Sequence, residues 1–146
     1  MGQQKHIEFY EELEEKISNW LKTPEGKNNK WKDYIKYTPH MFQLICNLSF
    51  DQKIDKEIKG EIAPVVAYFT SPFDYIPEEY WGAIGYKDDL VLSVFVLSKL
   101  KNAIDQDKID KYWEEEKDLW NLVEEIKSKA DQMIEEKYLT KLKELV

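Results

Sequence analysis

Apolar residues recur along this chain at helical spacing almost from end to end. Tyr10, Leu13, Ile17, Trp20 and Leu21 fall on one helix face, with Glu11, Glu12, Glu15 and Lys16 opposite. The pattern predicts a first helix from His6 to Lys22. The run from Thr23 to Asn29 ends it, because Pro24, Gly26 and paired Asn favour a loop. A second segment starts near Trp31 with Tyr34, Ile35 and Tyr37. Thr38-Pro39 then reads as an N-cap followed by proline at the first helical position. Met41, Phe42, Leu44, Ile45 and Leu48 continue as a largely buried helix. Asp51 or Asp55 is expected to cap the next one, through Ile54, Ile58 and Ile62 to Phe69. Pro64 removes a hydrogen bond to Gly60 within that pattern, so a kink or two short helices are expected.

From Leu90 to Ile104 the chain is apolar nearly all round, the mark of a helix buried on every side. Its β-branched residues would suit a strand too. Length and the lack of a second strand candidate decide for helix. From Asp107 the pattern predicts one long amphipathic helix, with Ile109, Trp113, Trp120, Val123, Ile126, Ala130, Met133 and Ile134 as its stripe. Leu139, Leu142 and Leu145 suggest a last turn or a separate short helix. The expected fold is all-α: a single domain over 1–146, a bundle of five to six helices around a rigid Pro/Gly turn.

That turn, Tyr68 to Leu90, combines Pro72, Pro77, Gly82 and Gly85 with a dense set of aromatics and carboxylates. Asp74, Glu78, Glu79, Asp88 and Asp89 lie within it. If the chain reverses at the glycines, Asp74 comes near Asp88 and Asp89. Two readings follow. Converging carboxylates can hold a hard divalent cation or share a proton; Asp74, Asp88, Asp89 and Glu78 are the candidate metal ligands. Alternatively, Asp88 and Asp89 cap the helix that follows, and Asp74 ties the turn to it. No EF-hand spacing, phosphate loop, nucleophile elbow or metalloprotease helix is present, and His6 and His40 are remote. The residues favour the capping reading.

The aromatics of the same stretch include Phe73, Tyr75, Tyr80, Trp81 and Tyr86. In a bundle such residues are usually core. So many beside turns would also suit a partner groove or a membrane interface if exposed.

Composition narrows the partners. Net charge is −8, and all 21 basic residues are lysine. Nucleic-acid binding needs a basic surface and usually arginine forks, so no nucleic-acid partner is expected. The lone Cys46 excludes a disulfide within the chain and reads as a buried small hydrophobe. The N-terminus has no apolar core of a signal peptide, and Gly2 is not followed by Ser or Thr at position 6, which argues against myristoylation. No apolar run reaches the ~20 residues a spanning helix needs. A cytoplasmic protein is expected, with attachment to the membrane periphery as a variant.

Ser71-Pro72-x-Asp74-x-Ile76-Pro77-Glu78, followed by Gly85-Tyr86-x-Asp88-Asp89-Leu90, resembles the signature of the YkvA-like family, a domain of unknown function. Glu78 stands where that family carries Asp. The resemblance implies an all-helical core over 37–104, to which 107–146 adds its amphipathic helix, and it implies no established activity. Some family members place this motif between hydrophobic segments of membrane proteins. Taken together, the residues lead to a non-enzymatic interaction module that docks a protein or a membrane surface through residues 73–86. The alternative is a divalent-cation-binding protein or a metal-dependent enzyme using Asp74, Asp88 and Asp89. No cofactor is implied beyond that cation.

Overall fold

Helix α4, Thr38–Phe50, sits at the centre of the packing, and its sequence explains why. Met41, Phe42, Leu44, Ile45 and Leu48 are all fully buried, so residues on more than one face are covered. The neighbours that cover them are α1 (Gly2–Lys22), α5 (Lys56–Thr70), α6 (Ala83–Leu100) and α7 (Gln106–Tyr112). Phe42 is the keystone of this contact. Its ring lies 4.8 Å from that of Phe9 on α1 and 5.0 Å from that of Phe69 on α5.

The computed structural model describes residues 2–70, 83–144 and 146. Every element it assigns among them is helical, as the periodicity predicts. The segments are more numerous than the five to six expected. The extra ones include two single turns, α2 (Pro24–Lys27) and α3 (Lys32–Ile35). Thr23 caps α2 by accepting from the Gly26 amide at 3.1 Å. A β-carbon on Gly26 would lie 2.0 Å from the Trp20 carbonyl oxygen, so only glycine lets α2 fold back on α1 this closely.

The start of α4 differs from the sequence reading, and of the two aspartates expected before α5 it is Asp55 that stands there. Thr38 does not cap α4; Tyr37 occupies the cap position without a side-chain bond, and Thr38 is already helical and fully buried. Proline at the helix start is compatible with that shift by one residue. Asp51 closes α4 at its C-terminal end instead of opening α5; the Asp55 carbonyl, which accepts from Lys59, precedes α5. Helix α5 runs unbroken through Pro64, so two short helices do not form. Pro64 and Gly60 both lie on the exposed face, where water can satisfy the carbonyl that proline leaves unbonded.

Helix α6 is buried as its composition requires: Leu90, Val91, Leu92, Val94, Val96 and Leu97 have no exposed surface. It packs on α3, α4, α5, α8 (Leu119–Met133) and α9 (Glu136–Glu144). From Gln106 onward the separate short helix suggested around Leu139 does form, and the long helix expected before it is divided into α7 and α8. The Trp113 indole donates to the Lys117 carbonyl at 2.8 Å, closing a turn over the acidic run Glu114 to Glu116. Asp118 then caps α8 by accepting from the Asn121 amide at 3.0 Å. A second break at Ile134 takes an extended conformation that leaves its side chain buried, and α9 follows as a separate short helix. One cluster of buried apolar side chains runs from Leu13 of α1 to Leu142 of α9.

Candidate functional site

Helices α5 and α6 bracket the stretch that concentrates prolines, aromatics and carboxylates. They pack against each other, and a buried polar contact joins them: the Tyr68 hydroxyl donates to Oδ2 of Asp88. Asp88 has no exposed surface. A carboxyl group taken wholly out of water is costly unless hydrogen-bonded, so the phenol contributes directly to holding it there. One turn on, the Ser93 hydroxyl, also fully buried, donates to the Asp89 carbonyl at 2.9 Å. Lys87 is partly buried; burial, and then the nearby charge of Lys30, lower its pKa.

The placement of Asp88 and Asp89 corrects the capping expectation. Helix α6 is already regular at Ala83, so both residues sit inside it and cannot be its N-cap. Gly85 fails to break the helix because a glycine costs only ~1 kcal/mol there, and the apolar face beyond it is completely buried. Tyr86 also falls within α6, although its side chain is outside what is described. Asp74, Glu78, Phe73, Tyr75, Tyr80 and Trp81 lie outside the described residues. Among the described residues, no three His, Cys, Asp or Glu side chains are grouped so as to hold a metal ion. No described helix is long and apolar enough to cross a membrane.

Periodicity gave no hint of Tyr68 as the partner of Asp88, since the two are twenty positions apart. A second polar cluster also went unseen. Asp51, at the end of α4, accepts from Lys108 at 2.8 Å and Tyr112 at 2.7 Å, both on α7, and from the Lys53 amide at 2.8 Å. Lys108, Tyr112 and the amide hold the Asp51 carboxyl far below the ordinary carboxylate range. The same bond raises the Tyr112 phenol. His40 of α4 also meets Glu115 of the α7–α8 turn at 3.0 Å. Both contacts join α4 to the segment after residue 106, and neither contains the converging carboxylates of a cation site.

Comparison with known proteins places the α5–α6 unit in context. Residues 58–95 match the family described as "Protein of unknown function (DUF1232)". The match starts within α5, spans 71–82 and ends within α6, so it contains both Tyr68 and Asp88. The chain is also similar to "Uncharacterized protein ORF9" of Methanothermobacter thermautotrophicus, 27% identical over 96 residues. That alignment covers 66% of this chain and 66% of the relative, so the chain spans just under two thirds of the relative's length. No solved structure matches. Residues 58–95, the unit closed by the Tyr68–Asp88 bond, thus correspond to a domain of unknown function.

Proposed function

We propose that the chain is a non-enzymatic helical module of YkvA-like type that docks a protein or membrane surface through residues 73–86. In this reading 37–104 is the core of a single domain and the helices after residue 106 brace it. The observation that carries the reading is the anchoring of α5 to α6. The Tyr68–Asp88 bond and the buried α6 face hold the two ends of a stretch containing Phe73, Tyr75, Tyr80, Trp81 and Tyr86. Tyr and Trp side chains present large amphipathic area with few rotatable bonds, which suits them to a docking surface. Flotation with vesicles of neutral and of anionic phospholipid, alongside affinity capture from cell extract, tests it. Phe73→Ser combined with Trp81→Ser should abolish association while the helical circular dichroism persists. Absence of association by the unmodified protein in both assays would overturn the docking role.

The rival is a divalent cation held by Asp74, Asp88 and Asp89 with Glu78, supported by their proximity in sequence. The Tyr68 hydroxyl already occupies part of the Asp88 carboxyl, which counts against it. A thermal-shift series with Mg²⁺, Mn²⁺, Ca²⁺ and Zn²⁺ separates the two. A bound ion at a hundred times its Kd stabilises by ~3 kcal/mol, whereas docking alone predicts no shift.

A further inference from the structure

A cavity of about 330 Å³ opens between α1 and α4, far in sequence from residues 73–86. This is the small end of the roughly 300–1,000 Å³ typical of small-molecule sites. Its walls are aromatic. The His6 ring lies 5.1 Å from that of Phe50 and 6.0 Å from that of Phe42, and Tyr10 and Ile7 complete the α1 side. Ile7, 52% exposed, is the large apolar side chain that stands out from the described surface at this rim.

Polar groups in the cavity await a partner. Nδ1 of His6 is buried and makes no hydrogen bond among the described residues. Gln43 and Asn47 of α4 add two side-chain amides one helical turn apart. The Tyr10 hydroxyl is already spent as a donor to Glu14 at 2.6 Å. Charge selects further. No lysine lines the cavity, and Glu11 stands at it, so an anion is repelled. Cys46, the thiol in the wall, stays neutral because burial pushes its pKa up to about 12.

We propose that this cavity binds a small, neutral, planar aromatic molecule bearing a hydroxyl group, which stacks on Phe50 and bonds Nδ1 of His6. A hydroxyl suits the site because it both donates and accepts, so it pairs with either tautomer of the imidazole. The buried imidazole nitrogen then regains the hydrogen bond that folding denies it.

Titration with 2-naphthol, followed by amide NMR, tests the site on the intact chain. Saturable shifts are expected at His6, Phe42, Gln43, Cys46, Asn47 and Phe50, with Kd below about 1 mM. Gln43→Trp, at an exposed position on the rim, should fill the cavity and weaken binding roughly tenfold with the melting temperature retained. Asn47→Phe serves the same purpose should Gln43→Trp fail to fold. His6→Phe keeps an aromatic wall but removes the nitrogen, and should weaken binding several-fold. No saturable shift, shifts centred elsewhere, or full affinity in a folded cavity-filling variant would each overturn the proposal. Full affinity in His6→Phe would overturn the role of the hydroxyl.

Discussion

Tyr68 and Asp88 join α5 to α6 by a buried hydrogen bond across the base of the stretch that separates them. The bond lies inside the segment that matches a domain of unknown function. Its place in the core makes it a folding element whatever the α5–α6 unit goes on to bind. Tyr68→Phe removes the donor and keeps the ring, so the loss isolates the hydrogen bond. Equilibrium urea melts should show a destabilisation of ~1–3 kcal/mol. Asp88→Asn retains an acceptor and should cost less than Asp88→Ala. The double mutant Tyr68→Phe/Asp88→Asn should be non-additive, as expected of side chains in contact. A gain in stability for Asp88→Asn would instead indicate a carboxylate kept for a ligand at the expense of folding.

Asp51 makes stability depend on pH. Its folded pKa is depressed, first by the hydrogen bond from Lys108 and then by that from Tyr112. A depressed carboxyl contributes stability that is fully present above the unfolded value of about 4. That contribution declines as the pH falls below this value towards the lowered folded one. Asp51→Asn should therefore lower the melting temperature at pH 7, and the gap to the unmodified protein should narrow steadily below pH ~4. Tyr112→Phe removes one donor and should move the Asp51 titration upward, measurable by carboxyl-carbon NMR.

Cys46 should be nearly inert in the native state. It is 4% exposed, and burial raises its pKa to about 12, so the reactive thiolate is scarce near neutrality. Alkylation by iodoacetamide at pH 7.5 should run at least roughly a hundredfold slower than for a peptide thiol. It should accelerate only through the urea unfolding transition. Fast modification of the folded protein would show that α4 opens locally.

Pro64 should be a site of easy stabilisation. The helix tolerates it on an exposed face, yet it still lacks an amide to donate back to Gly60. Pro64→Ala should raise stability by up to about 3 kcal/mol, with Gly60→Ala adding ~1 kcal/mol because open space surrounds the added β-carbon. Thermal melts with unchanged helical circular dichroism would record both gains.

The chain's own periodicity determined the helical class, the buried side of α1, the largely buried α4 and α6, and the apolar stripe of the last forty residues. It could do so because burial of one face repeats with the helix turn and needs no knowledge of partners. The same periodicity carried the stripe straight through Trp113 to Lys117. An indole-to-carbonyl turn and the Asp118 cap, both local but invisible to an apolar count, divide the segment there. Asp88 and Asp89 look like caps in the sequence because they precede a run of Leu and Val. Tertiary burial of that run extends α6 back to Ala83 and moves both carboxylates inside the helix. What only the folded chain decided are the pairings between distant positions: Tyr68 with Asp88, Asp51 with Lys108 and Tyr112, His6 with Phe50. Such contacts depend on which helix lies beside which, and loop closure followed by packing sets that, not the spacing of residues along one strand of text.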